Sequence, residues 1–131
     1  MNSKNDQNTK DLSSITEVSD EVYFKLEDQH GALVSVIVND PETSRRIGEF
    51  LFRRPTDREL GFANKEIIKN ENLIAYNDVI INGTLLNGKD VVDGNAWIRR
   101  ALHDRVKSII TPYETSLGKR RVRKEADQNK K

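Results

Sequence analysis

The spacing of apolar residues along the chain changes near Pro55. Before it, apolar and polar residues alternate over residues 21–28, and β-branched residues are concentrated over residues 32–40. A period of two and β-branched side chains are typical of strands. Because a short stretch ending in Gly31 separates the two segments, they predict a β-hairpin. A third strand is predicted over residues 47–52, with a helical turn as the alternative.

After Pro55 the apolar residues recur every three to four positions, which is the period of an amphipathic helix. Thr56 and Glu59 have the spacing of a capping box, in which each side chain accepts a backbone N–H of the other residue. Pro55 disfavours helical backbone at Arg54. This arginine–proline segment is therefore predicted to be a joint between a strand and a helix that ends near Asn70.

Two more helices are predicted after Asn70. Residues 71–86 form one, and a turn at Gly88 closes it. Residues 94–114 form the other, with Asp93 as a candidate N-cap and Pro112 as its end or a kink. One side of this last helix is apolar, and its other side carries Arg99, Arg100, His103, Asp104 and Lys107.

These elements predict an α+β fold, in which a small antiparallel β region of two or three strands is followed by about three helices. Residues 1–19 are polar and predict a disordered segment, since they lack the apolar groups that would offset their ordering entropy. Residues 20–117 are predicted to form a single domain. Residues 118–131 are predicted to form a flexible basic tail.

Composition restricts the class of protein. The chain has 131 residues, about one domain, with 33% charged and 35% hydrophobic residues. It has no cysteine, so neither a disulfide framework nor a thiolate zinc site is available. It has no apolar run of the length that a membrane helix needs, and its N-terminus does not resemble a secretory signal. A cytoplasmic protein without a membrane partner is expected.

Candidate catalytic groups are few. Of the two histidines, His103 neighbours Asp104, but consecutive helical residues do not face each other, so a solvated helix surface is predicted there. Neither a nucleophile motif, a metal-binding motif nor a phosphate-binding loop occurs. We therefore expect no enzyme, no metal and no cofactor.

Basic residues are unevenly distributed, although the net charge is only +1. The arginine pairs at 45–46, 53–54 and 99–100 are interpreted as solvated surface. The segment 118–131 carries seven basic and two acidic side chains. Such a tail adds weak, nonspecific and salt-sensitive affinity for nucleic acid, or docks on an acidic protein groove. Its basic residues include Lys119, Arg120, Arg121, Arg123 and Lys124.

Trp97 is the single tryptophan and begins the last helix. One interpretation places it in the core; the other places it in a groove for a protein partner, because tryptophan, tyrosine and arginine dominate interface hot spots. For the second interpretation the candidate surface is Trp97, Arg100 and His103, at steps of three residues, together with Tyr113.

The segments "FLFRRPTDRELGFANKEI", "NLIAYNDVIINGTLLNGKD" and "AWIRRALHDRVKSIITPYETSLGKR" resemble small tail assembly chaperones of tailed phages and phage-like elements. The shared features are a joint of the form F-R-x-P-T-x-x-[DE]-L, here Phe52 to Leu60, and a Leu-x-Gly turn, here Leu86 to Gly88. The resemblance covers roughly residues 22–120.

The resemblance implies a non-enzymatic assembly factor without a cofactor, active in the cytoplasm of the host. Such chaperones keep the tape-measure protein soluble and bring tube subunits to it. An alternative is a small nucleic-acid-binding, regulatory or anti-defence protein of a mobile element, acting through its basic tail and arginine pairs.

Overall fold

A computed structural model of the chain describes residues 11–111 and 115–123. The described residues form two strands and six helices, which confirms the predicted α+β fold with a small antiparallel β region. No described helix has the length and apolar character that crossing a membrane would require. The elements are α1 (Asp20–His30), β1 (Leu33–Asn39), β2 (Arg46–Arg53), α2 (Asp57–Asn70), α3 (Leu73–Thr84), α4 (Lys89–Gly94), α5 (Ala96–His103) and α6 (Val106–Ile110).

The sheet is an antiparallel hairpin of β1 and β2, with Val34 opposite Phe52 and Val36 opposite Phe50. Asp40 closes the turn between them, because its backbone N–H donates to the carbonyl of Arg45 at 2.8 Å. The predicted strands at residues 32–40 and 47–52 are therefore present, but they pair with each other rather than with an earlier strand.

The strand predicted over residues 21–28 is wrong, since these residues lie in α1. Ser19 is the N-cap, and its Oγ accepts the N–H of Val22 at 3.2 Å. Asp20 and Glu21 occupy the first turn, where carboxylates interact favourably with the helix dipole. Gly31, with φ 85°, follows the last residue. These end signals oppose the alternating pattern, and the chain adopts the helix that they favour.

The joint between β2 and α2 agrees with its prediction. Thr56 Oγ1 accepts the N–H of Glu59 at 3.1 Å, and a Glu59 carboxylate oxygen accepts the N–H of Thr56 at 2.8 Å. This complete capping box starts α2 at Asp57. A left-handed residue, Glu71, ends it at φ 57°.

The last predicted helix is divided into two helices, α5 and α6. Asn95, rather than Asp93, caps α5, and its side chain accepts the N–H groups of Trp97 and Ile98. Between α5 and α6, the N–H of Asp104 bonds to a carbonyl three residues earlier at 3.2 Å, the tighter 3₁₀ spacing that interrupts the α-helix.

The core lies between one face of the sheet and the helices that follow it. Phe50 and Phe52 of β2 are completely buried at its centre. Leu51, on the opposite sheet face, and Leu26 of α1 are also buried, and α1 packs against β1. The main cluster is Val36, Val38, Phe50, Phe52, Ala63, Ile80, Ile81, Val92, Ile98, Leu102, Val106 and Ile109.

Residues 11–19 pack against the domain, which corrects the prediction that they are disordered. The carbonyls of Leu12, Ser13 and Thr16 accept the backbone N–H groups of Gly88, Asp90 and Glu49 at 2.7–2.8 Å. Side chains add to these three main-chain bonds, since the hydroxyls of Ser13 and Ser14 both donate to Asp90 at 3.1 Å. Residues 1–10 and 124–131 of the two predicted tails lie outside the described residues.

Candidate protein-binding site

Trp97 lies on the surface, with 78% of its area exposed, so the interpretation that places it in the core is wrong. The next residue, Ile98, is 5% exposed and is the one that α5 turns toward the core. Consecutive helical residues differ by about 100° in direction, so burying Ile98 directs Trp97 outward. The indole is therefore available to another molecule.

The indole forms one wall of a cleft of about 490 Å³ between α5 and the β-hairpin. The opposite wall includes Pro41 of the turn and Ile47 of β2, both exposed to solvent. Val38 and Asn39, at the end of β1, also line it. This cleft, hereafter the Trp97 cleft, places exposed apolar side chains beside the end of a strand.

Two charged residues line the same cleft. Arg100 and Asp104 are exposed and lie one turn apart along and just after α5. They provide one guanidinium and one carboxylate, which are suited to contacts with polar groups around an apolar ligand segment. The cleft is therefore lined by both apolar and charged side chains.

His103 does not lie with Trp97 and Arg100. Its Nε2 is 2.9 Å from Asp78 Oδ1 on α3, and only 16% of its side chain is exposed, so the predicted solvated surface is wrong for this residue. Side chains three residues apart on a helix differ in direction by about 60°, so those of Trp97 and His103, six residues apart, differ by about 120°. The predicted face is thus split between the cleft and α3. Tyr113 lies outside the described residues.

Arg99 completes the contact between α5 and α3. It donates to Asp78 at 3.0 Å, to Asn82 at 3.0 Å and to Asp93 at 2.8 Å. Hydrogen bonds from Lys89 and Arg99 lower the pKa of Asp93. This network fixes the orientation of α5 and thereby the direction in which Trp97 points.

The arginine pair at the joint is also structural. Arg53 binds both carboxylate oxygens of Glu59, at 2.9 and 2.6 Å, and donates to the carbonyl of Gly83 at 2.7 Å. The hydrogen bonds from Arg53 lower the pKa of Glu59 to about 2, with a smaller contribution from Thr56. Arg53 therefore ties β2, α2 and the end of α3 together.

The arginine pair at 45–46 also forms ion pairs within the chain, since Arg46 contacts Glu17 at 3.0 Å and Glu49 at 3.5 Å. At least one arginine of each pair thus bonds to carboxylates of the chain itself, although Arg46, whose side chain is 46% exposed, stays accessible to solvent. The interpretation of all three pairs as solvated surface is too simple for Arg53 and Arg99, whose side chains are 24% and 21% exposed.

The described part of the basic tail is exposed and has no regular secondary structure. It contains Lys119, Arg120, Arg121 and Arg123, whereas Lys124 lies outside the described residues. Its role in binding remains a prediction.

Within residues 11–111 and 115–123, no three His, Asp or Glu side chains are grouped as a metal site would require. Comparisons with protein-family models, with curated proteins and with solved structures found no match to this chain. The site is therefore interpreted from its own geometry.

The sequence indicated Trp97 and Arg100 but missed Pro41 and Ile47. Both lie beside the hairpin turn, 55 and 49 residues before the start of α5 in the sequence. Only the packing of α5 against the hairpin brings them to the indole, so no local pattern pointed to them.

Proposed function

We propose that this chain is a non-enzymatic assembly factor that binds an apolar segment of another protein in the Trp97 cleft. The observation that carries the proposal is the 78% exposure of Trp97 in an apolar cleft next to Ile47. Burying apolar surface contributes about 25 cal/mol of favourable free energy for each Å² removed from water, and the exposed indole lacks this contribution. A protein partner that covers the indole recovers this free energy.

The particular role that we propose is that of a tail assembly chaperone of a phage or phage-like element, acting in the host cytoplasm. The support is the sequence resemblance, which includes the joint that Arg53, Thr56 and Glu59 form. The partners are then the tape-measure protein and tube subunits. An open cleft with Arg100 and Asp104 at its rim suits a complex that must later dissociate.

A direct test is coexpression of the chain with the tape-measure protein encoded by the same element. We expect the chain to increase the soluble fraction of the tape-measure protein and to form a complex with it. Trp97→Ala should weaken the complex by tenfold or more, since truncating a hot-spot tryptophan typically costs about 2 kcal/mol or more and tenfold corresponds to about 1.4 kcal/mol. The matched control is Phe62→Ala on α2, because Phe62 is 55% exposed and does not line the cleft.

Equal losses in the two variants would show that the cleft is not the binding site. A chain that neither binds nor solubilises the tape-measure protein would refute the chaperone role. Binding to nucleic acid that falls by orders of magnitude between low and moderate salt would instead favour the alternative function.

A further inference from the structure

The two outer edges of the β-hairpin differ in their hydrogen bonding. On β2, the N–H of Glu49 donates to the carbonyl of Thr16 at 2.7 Å, and the N–H of Leu51 donates to the Asn87 side chain at 2.7 Å. The carbonyls of the same two residues accept bonds from Asn87 and Leu86. The outer edge of β2 is thus covered by other parts of the chain.

The outer edge of β1 follows from the register. Ile37 lies opposite Glu49, and Ser35 lies opposite Leu51. The N–H groups of Glu49 and Leu51 point away from β1, so these two residues form no hydrogen bonds with the β1 residues opposite them. In such a pair the backbone groups of both residues point outward, so those of Ser35 and Ile37 point away from β2. Ser35 and Ile37, and Leu33 two residues earlier, therefore present backbone N–H and C=O groups at the β1 edge.

Nothing in the described part of the chain pairs with these outward backbone groups. Ser35 and Ile37 are exposed, so the edge is accessible. Strand β1 has seven residues and carries no charged side chain. Natural proteins protect exposed edges with charges, proline or a covering segment, and a long apolar edge without them is a template for another strand.

We propose that a partner protein adds an extended segment to the β1 edge as a third strand and inserts a large apolar side chain into the Trp97 cleft. Alternating N–H and C=O groups are complementary to an extended backbone, whereas a helix has already paired its own. Val38 and Asn39 at the end of β1 line the cleft, so a strand on this edge leads directly into it. This inference rests on the proposed function in needing a protein partner, and it specifies how that partner binds.

A second copy of the chain fits this surface less well. In a symmetric dimer, the β1 edges of two copies would pair antiparallel about a two-fold axis. The register that pairs all three outward residues has this axis at Ser35, and it places Ala32 of one copy opposite Val38 of the other and Gly31 opposite Asn39. These two small residues would lie over the cleft and offer no side chain to fill it. The occupant we infer is therefore a segment of another protein with a bulky apolar residue beyond its paired stretch.

The test uses the full chain and 12-residue peptides selected against it from a random peptide library. Binding is followed by the fluorescence of Trp97, the single tryptophan. The best peptide, provided that it lacks tryptophan, is then resynthesised with one backbone N-methyl group at each position in turn. Only alternate N–H groups of an added strand face β1. Methylation should therefore weaken the affinity of the peptide about tenfold or more at every second position, and less than about twofold at the positions between them.

Two protein variants make the complementary test. Ile37→Pro removes one outward N–H that the hairpin does not use and should weaken peptide binding about tenfold, whereas Ile37→Ala keeps that N–H and should retain most of the affinity. Denaturation midpoints establish that both variants are folded. If the proline variant does not fold, the N-methyl series on the unaltered chain decides alone.

Several results would overturn the inference. In the N-methyl series, losses of affinity that recur every three to four peptide residues, or that do not depend on position, would do so. Failure to select any binding peptide, or a homodimer that Ile37→Pro dissociates, would do so as well. If the tape-measure protein binds but the alternation is absent, only this inference fails. If the alternation is present but the tape-measure protein does not bind, only the proposed chaperone role fails.

Discussion

Replacing Glu59 with glutamine tests whether the strand-to-helix joint is a structural element. The wild-type carboxylate accepts two hydrogen bonds from Arg53 and one from the N–H of Thr56. Glutamine retains one carbonyl oxygen for the cap but loses the charge and one of the two acceptors for the guanidinium. The free energy of unfolding should fall by an amount set by the lost ion pair.

The magnitude follows from the burial of the pair. Exposed ion pairs contribute about 0.2–1 kcal/mol, and hydrogen bonds to charged groups about 1.5–3 kcal/mol. The Arg53 and Glu59 side chains are 24% and 28% exposed, which places them between these limits. We expect a loss of about 1.5 kcal/mol, equivalent to roughly 6 °C in Tm for a domain of this size.

The dependence on pH has a definite sign. The pKa of Glu59 is lowered from 4.5 to about 2 in the folded chain, so the folded state favours the charged carboxylate. Its stabilisation is complete above pH 4.5 and is lost as the pH falls toward 2. The difference in stability between wild type and Glu59→Gln should therefore be constant near neutrality and shrink over that acidic range.

Urea denaturation of both proteins at several pH values measures this difference. Glu42→Gln is the control, because Glu42 is an exposed carboxylate in the hairpin turn. A difference that does not change with pH, or an equal loss in the control, would refute the assignment of Arg53 and Glu59 as a stabilising pair.

Three further predictions follow from the same contacts. Thr56→Ala should cost about 1 kcal/mol through loss of the N-cap, and an unchanged urea midpoint would show that α2 does not depend on it. Asn87→Ala should cost about 3 kcal/mol, since Asn87 is 1% exposed and bonds to Ile15, Glu49 and Leu51; a loss below about 1 kcal/mol would contradict its role as a buried bridge. Deleting residues 119–131 should slow association with the partner and flatten its salt dependence, whereas Arg100→Glu should weaken the complex more. If the deletion abolishes binding and the charge reversal has no effect, the tail is the binding element.

Local features of the fold were predictable from the sequence. The capping box of α2 depends on Thr56 and Glu59, three residues apart, and needs no distant contact. The turn at Gly88 was predicted for a similar reason, and the residue has φ 72°. The helix α1 also had a local signal, Ser19 followed by two acidic residues, but the alternating apolar pattern after it favoured a strand in the prediction.

Tertiary packing decided the candidate site. Whether Trp97 is buried depends on which side of α5 faces the hairpin and α3, and the contact of His103 with Asp78 spans 25 residues of sequence. The attachment of residues 11–19 also had no local signal, because its side-chain bonds, such as those of Glu17 to Arg46 and Ser13 to Asp90, join residues that are 29 and 77 positions apart. A sequence identifies side chains and their local spacing, whereas exposed surfaces and open strand edges exist only once distant segments have packed together.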